Sequence, residues 1–230
     1  MVLYRYIRKW VRGSEMNEPI CYIIAAGENY GLDFQKNEGD YVIAADAGLK
    51  YLHEQGIEPD LIIGDFDSLG ERPVHADVIL LDEEKDDTDT LAAVREGIAR
   101  GYDTFYIYCG TGGRFEHTIA NIQTLGFLAK SGKIGFMVDQ NSIITVIEDG
   151  CINFDDSCKG YVSVFSYSDI ATGVSIKGLK YELENAALTN IFPIGTSNEF
   201  IGKSSTISVK SGALMIVFPK VCVNAIVMYE

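Results

Sequence analysis

The feature that most constrains this chain is a change of rhythm near residue 140. Up to that point short apolar runs alternate with helical patterns. The runs CYIIAAG (21–27), YVIAAD (41–46), DLIIGD (60–65), DVILLD (77–82), TFYIYCG (104–110) and KIGFMVD (133–139) read as buried strands. Most are continuous in apolar character, the pattern of strands covered on both faces. Between them lie AGLKYLHEQG, DTLAAVREGIARG and HTIANIQTLGFLAKSG. In the second of these, Leu91, Val94 and Ile98, with the small Ala92 and Ala99, mark a helical inner face. Gly56, Gly101 and Gly132 stand where the helices should stop. Strand–helix–strand alternation predicts a mainly parallel sheet with helices on both sides. Beyond residue 140, SIITVIEDG, CINFDD, YVSVFSYS, GVSIKGLKYEL, STISVKSG and ALMIVFP follow one another with short turns and no helical pattern. That half predicts an antiparallel β-sandwich or barrel.

Charge narrows the partners. The net charge of −14 makes the chain a poor general binder of nucleic acid or anionic membrane. A polyanionic substrate would need a metal ion or a few focused cations to offset that field, whereas a cationic substrate is favoured at a distance. No apolar run reaches the length of a membrane span. The basic, aromatic stretch MVLYRYIRKWVRGSE lacks the continuous apolar core of a signal peptide. It reads either as a short amphipathic arm or as an extension upstream of a start at Met16. Cys21, Cys109, Cys151, Cys158 and Cys222 are odd in number, widely spaced and contain no CxxC pair. They form neither a disulfide framework nor a zinc site, and a reducing cytoplasm is the expected setting.

Several first-half strands end in an acid: Asp46, Asp65, Asp82 and Asp139. In an open parallel sheet ligands bind outside the carboxyl ends of the strands, so acids far apart in sequence can converge there. A single strand-end Asp more often solvates a loop or caps a helix, and Asp82 and Asp139 are given that role. Asp65 and Asp67, in GDFDS, differ. Two residues apart in an extended chain, they point the same way and repel one another unless a cation lies between them. Hard oxygen ligands of this kind suit Mg²⁺.

Two further clusters follow. In EKDDTDT (84–90), Thr88 or Asp89 caps a helix beginning near Thr90. Lys85 supplies a cation for phosphate oxygens, Asp86 and Asp89 are donors to metal or bound water, and the helix start adds a positive dipole end. In GTGGRFEHT (110–118), the glycines let backbone N–H groups approach an anion, and Arg114 offers a fork of donors. The turn is neither a P-loop nor a dinucleotide-binding fingerprint. His117 by itself reads as a structural hydrogen-bonding residue.

The ordered set GDFDS, KDDTD and GGRFEH, with GLKYEL and GTSNE in the β-rich part, resembles the thiamine pyrophosphokinase family. The resemblance implies an α/β, Rossmann-like catalytic domain followed by an antiparallel β-sandwich, and a homodimer. It implies residues 1–15 as an N-terminal extension, 16–142 as the ATP- and Mg²⁺-binding domain, and 143–230 as the thiamine-binding domain. The implied reaction transfers the pyrophosphoryl group of Mg-ATP to the hydroxyl of thiamine, giving thiamine diphosphate and AMP. Carried over by the resemblance, Asp46, Ser68, Lys85, Asp86, Thr88, Gly112, Gly113 and Arg114 bind ATP. Asp65, Asp67 and Asp89 hold metal and, with Lys85 and Arg114, form the catalytic set. Glu116, His117, Tyr181, Ser197, Asn198 and Glu199 surround thiamine. The family's third motif usually reads GGRxDH, so Glu116 is a departure that keeps the charge on a side chain one methylene longer. Tyr181 stands where some relatives have Trp, which retains an aromatic face.

The implied chemistry agrees with the residues. Thiamine carries a permanent cation that an acidic protein attracts and an aromatic ring can stack on. ATP carries the opposite charge, which Mg²⁺ on Asp65 and Asp67 offsets. The hydroxyl proton has Asp65, Asp67, Asp89 and Glu116 as candidate acceptors. Three rival readings stand beside this one. The first is a related pyrophosphokinase acting on 6-hydroxymethyl-dihydropterin. The second is a phosphatase of the haloacid-dehalogenase type, whose DxDxT/S-L motif DFDSL superficially matches, although there the first Asp normally follows the first strand. The third is a non-catalytic nucleotide or thiamine sensor.

Overall fold

A computed structural model describes residues 18–65, 77–82 and 86–229. Within it the apolar runs of the first half form β1 (Ile20–Ile24), β2 (Tyr41–Ala45), β3 (Leu61–Gly64), β4 (Val78–Leu80), β5 (Thr104–Tyr108) and β6 (Ile134–Val138). Helices α1 (Gly48–Glu54), α2 (Asp89–Ala99) and α3 (Phe115–Lys130) lie between them. The strands pair parallel throughout, in the order β6-β5-β1-β2-β3-β4. Ile23, Ile24, Ile43, Ile62, Phe105 and Ile107 are fully buried, as two-sided cover requires. This unit runs from Glu18 to Gln140, and a second begins at Asn141. Asp67, Ser68, Lys85 and the 1–15 extension lie outside the described residues.

The run at 77–82 departs from the buried strand expected of it. β4 is the outermost strand of the sheet, and Val78 and Leu80 are exposed. An apolar composition does not distinguish a central strand from an edge, because position in the sheet is set by connections elsewhere in the chain.

α2 also differs from its expected packing, by one residue of rotation. Its buried face is Thr90, Ala93, Val94 and Gly97, while Leu91 and Ile98 are half-buried and Ala99 is exposed. The reason is at Gly97. A Cβ there would lie 2.6 Å from Phe105 Cε1 and 2.9 Å from Cys21 Sγ. The helix therefore settles on the sheet along its smallest residues, and the larger ones flank the contact. Of the two candidate caps, Thr88 holds the position: it is extended (ψ 156°) and its Oγ1 accepts from the Leu91 N–H at 3.2 Å. Thr88→Ala is expected to lower the stability of this unit by about 1 kcal/mol, read as a shift in its urea unfolding midpoint. Gly56, Gly101 and Gly132 follow the three helices with positive φ, as expected of stops.

The second unit is antiparallel in every pairing. Its strands are β7 (Ser142–Glu148), β8 (Cys151–Phe154), β9 (Tyr161–Ser166), β10 (Ile170–Lys177), β11 (Leu183–Thr189), β12 (Asn198–Glu199), β13 (Ser205–Ser208), β14 (Ala213–Pro219) and β15 (Ile226–Tyr229). One group runs β12-β9-β14-β7 and the other β11-β10-β13-β8-β15. Phe154 of β8 meets Phe218 of β14 edge-on at 5.1 Å, joining the two layers through an aromatic core. β9 alternates, burying Val162, Val164 and Ser166. The arrangement is consistent with an α/β unit followed by a β-sandwich. A 3-10 helix, Lys220–Ala225, was not expected in this half. A single short 3-10 segment has no periodicity long enough to read. All five cysteines are free. Among the described residues no helix is long and apolar enough to cross a membrane.

Candidate active site

The strand order sets where a ligand can sit. From β1 the chain moves outward to β4, then returns to the other side of β1 as β5. The carboxyl ends of β1 and β5 therefore flank a topological switch point, where open parallel sheets form their binding crevice. Beyond the sheet these two ends stay zipped. Ala25 N–H donates to the Tyr108 carbonyl at 2.9 Å, Gly27 N–H to Cys109 at 2.8 Å and Glu28 N–H to Thr111 at 2.8 Å. Gly27 has no room for a side chain, since a Cβ would lie 2.4 Å from the Thr111 carbonyl oxygen and 2.5 Å from that of Cys109. From α1, the Tyr51 hydroxyl donates to the Gly27 carbonyl at 2.9 Å. Burial lifts the Tyr51 phenol above its ordinary pKa, so it remains a donor at neutral pH.

The glycine turn rises from this base. Gly112 and Gly113 take φ of 77° and 61°, and a Cβ on Gly112 would lie 2.2 Å from Glu28 Cγ. Among the described residues the amide N–H groups of these two glycines donate to no group. α3 begins immediately afterwards, with Arg114 at its N-cap and no side-chain cap bond, so among the described residues the N–H groups of Phe115 and Glu116 are open as well. The turn thus presents backbone donors and the positive end of a helix to an anion. Behind it, Asn121 Nδ2 of α3 donates to the Gly110 carbonyl at 2.8 Å, and Thr111 Oγ1 donates to Asp139 Oδ1 at 2.5 Å. Arg114 Nε lies 3.5 Å from Glu116 Oε1, and both side chains are largely exposed. Such a surface pair holds the guanidinium only weakly. His117 is exposed, and its backbone N–H donates to the Arg114 carbonyl.

The acids come from the neighbouring strand ends. Asp46 follows β2 with φ 48°, and its N–H donates to the Ile63 carbonyl at 2.8 Å. A Cβ on Gly64 would lie 3.2 Å from Asp46 Cα, so this glycine lets the ends of β2 and β3 close up. Asp46 and the partly buried Asp65 are thereby neighbours. α2 starts on the same edge, after β4, with Thr88 and Asp89, and packs back over β1, β2 and β3. Thr88 Oγ1 accepts the cap bond with one of its two lone pairs, and its hydroxyl proton can still donate to a ligand. Asp86 is exposed ahead of this helix, while its neighbour Asp87 pairs with Arg95 at 2.9 Å. Sequence reasoning thus met Asp46, Asp65, Thr88, Asp89, Gly112, Gly113 and Arg114, which share one sheet edge. It missed Gly27, Glu28, Tyr51 and Asn121; the glycine straight after the apolar run of β1 was the available signal. Among the described residues no three His, Cys, Asp or Glu side chains cluster as a metal cage. Acids at adjacent strand ends nevertheless fit Mg²⁺, which commonly takes one or two carboxylates and completes its shell with phosphate oxygens and water.

In the second unit Tyr181, Ser197, Asn198 and Glu199 also come together. Asn198 is 6% exposed, and its amide is committed to the backbone. Nδ2 donates to the Tyr181 carbonyl at 2.7 Å, while Oδ1 accepts from Tyr181 N–H at 3.0 Å and Glu199 N–H at 2.9 Å. Glu199 Oε2 holds Lys180 Nζ at 2.7 Å, and that hydrogen bond raises the Lys180 pKa. Ser197, with φ 59°, donates its N–H to Ser163 Oγ at 3.0 Å. The Tyr181 ring is 62% exposed, and Tyr161, paired in register with Glu199, is exposed too. Lys180 and Tyr161 belong to this aromatic and acidic patch although their sequence context did not single them out.

Comparison with known proteins bears on both units. The family model for the thiamin pyrophosphokinase catalytic domain matches residues 34–136, and that for the thiamin pyrophosphokinase vitamin B1 binding domain matches 151–214. A thiamine pyrophosphokinase of Bacillus subtilis is 29% identical over 182 residues, 76% of this chain and 85% of its own. Thiamin pyrophosphokinase 1 of Caenorhabditis elegans is 27% identical over 194 residues, 78% of this chain and 79% of its own. The crystal structure of the Bacillus subtilis thiamine pyrophosphokinase is similar with a TM-score of 0.77 at 27% identity, covering 87% of this chain and 98% of that one. Both halves match the two domains of one family, in order, and the chain belongs to the thiamine pyrophosphokinase family.

Proposed function

We propose that this protein is a thiamine pyrophosphokinase that transfers the pyrophosphoryl group of ATP to the hydroxyl of thiamine, with Mg²⁺ as the metal. The observation that carries the reading is that the ends of β2, β3 and β5 lie on one edge of the parallel sheet, which brings Asp46, Asp65 and the open glycine turn to the same side. The N–H groups of Gly112, Gly113 and the start of α3 receive phosphate oxygens, and Arg114 adds its guanidinium. Asp65, with Asp67 and Asp89, would hold Mg²⁺, and Asp46 contributes to the ATP site. When bound, the ion supplies charge neutralisation on the transferring phosphoryl oxygens. The thiamine oxygen attacks the β-phosphorus, the bond to the α-phosphate oxygen breaks, and AMP leaves. The hydroxyl proton passes to a carboxylate of this edge. The protein's contribution is placement and electrostatics, because phosphoryl transfer needs little covalent catalysis.

Thiamine is read by the second unit. The exposed Tyr181 ring offers a face to the thiazolium cation, and Glu199 carries the opposite charge, shared with Lys180 at 2.7 Å. Asn198 acts from beneath, holding the backbone of both residues. Ser197 belongs to the same proposed surroundings, while Glu116 and His117 are assigned to thiamine by the family motif alone. A homodimer in the cytoplasm belongs to the same reading.

AMP release from ATP by the purified protein is expected to require both thiamine and Mg²⁺, to fall to background on chelation with EDTA, and to return when Mg²⁺ is restored. The same assay separates the rivals. AMP formed with 6-hydroxymethyl-dihydropterin and not with thiamine would assign the protein to the pterin reaction. Binding of ATP and thiamine without any AMP would make it a sensor.

A further inference from the structure

We propose that Asp139 is a positioning residue for ATP: through Thr111 it sets the direction of the Gly112 and Gly113 amides without touching the nucleotide. The inference rests on the reading above that this turn receives the phosphates of ATP. Asp139 is the first residue past β6, which lies beside β5 with Tyr108 opposite Val138. From there its Oδ1 accepts the Thr111 hydroxyl at 2.5 Å. Thr111 is almost completely buried, and its carbonyl accepts from Glu28 N–H at 2.8 Å. It is therefore gripped on one side by the extension of β1 and on the other by the end of β6. The next two residues are the glycines with φ of 77° and 61°. A carboxylate on an edge that receives a triphosphate is a liability, since like charges repel. Bonding to Thr111 directs that charge into the base of the turn and makes it an anchor. Asn121, on the Gly110 carbonyl, is a second anchor, so loss of the first loosens the turn rather than unravelling it.

The experiment is calorimetric titration of Mg-ATP into the full chain and four variants: Asp139→Ala, Asp139→Asn, Thr111→Val and the double variant Asp139→Ala/Thr111→Val. A lost charge-assisted hydrogen bond predicts that Asp139→Ala and Thr111→Val each weaken Mg-ATP binding about tenfold. The double variant should be no weaker than the weaker single one, because both delete the same bond. The amide oxygen of Asp139→Asn still accepts from Thr111, so this variant should bind within about threefold of the parent. In steady-state kinetics the KM for ATP should rise and the KM for thiamine should not. Equal losses in Asp139→Asn and Asp139→Ala would overturn the proposal by showing that the charge itself acts on the ligand. Additive losses, or unchanged Mg-ATP affinity in Thr111→Val, would overturn it too. Absence of AMP formation by the parent would count against the proposed reaction, while Mg-ATP binding still tests the turn.

Discussion

Asp65→Asn is expected to lower the rate of AMP formation from ATP and thiamine by roughly 10³-fold, the scale seen when a group that stabilises transition-state charge is removed. Asp65 stands at the end of β3, directly after the glycine that closes against Asp46. Asn has the same shape, so β3 and its parallel pairings with β2 and β4 should survive, and the melting temperature should move little. What disappears is one negative charge beside Asp46, and with it a hard ligand for Mg²⁺. Initial rates over a range of Mg²⁺ concentrations, with melting curves alongside, check both halves of the expectation. Asp67→Asn should behave alike, because the GDFDS motif assigns Asp67 to the same Mg²⁺. Turnover near that of the parent in either variant would refute the metal assignment.

The second large effect is expected at Gly27. In Gly27→Ala the new methyl would meet two backbone carbonyl oxygens, at 2.4 and 2.5 Å, and neither can yield without parting the ends of β1 and β5. Parting them breaks the Gly27-to-Cys109 and Glu28-to-Thr111 hydrogen bonds. Two lost backbone bonds together with overpacking strain add up to roughly 3 kcal/mol. Because Thr111 forms the base of the glycine turn, Mg-ATP affinity should fall in the same variant. Urea unfolding monitored by tryptophan-independent far-ultraviolet dichroism, with calorimetric titration of Mg-ATP, reads both quantities. An unfolding midpoint and an affinity equal to those of the parent would contradict the close approach of the two strand ends.

The parts of the fold that were legible in the sequence are those with local causes. Continuous apolar runs such as that of β5 report burial on both faces, and alternation such as that of β9 reports burial on one. Thr88 was readable as a cap because a hydroxyl three residues before a helix N–H acts within its own segment. The illegible parts depend on neighbours distant in sequence. β4 has the composition of a central strand and the position of an edge. The inner face of α2 is set by Phe105 and Cys21, against which only Gly97 fits. Asp139 looked like any loop acid, because its partner Thr111 lies 28 residues earlier. Asn198 looked like a ligand-facing polar residue, whereas its amide is spent on Tyr181 and Glu199.

At the site the division follows the same line. The carboxylates, the glycines, Arg114 and their order along the chain were present in the sequence, and with them the type of chemistry, since donor atoms and charges belong to the residues themselves. Which strand ends lie side by side, that Asp139 bonds Thr111 within the protein, and how Gly27 clamps the base of the turn were decided by the tertiary structure. The physical reason is range. A residue's chemistry and its local backbone preference are carried in the chain, whereas convergence depends on a strand order that places β5 beside β1 across roughly eighty intervening residues.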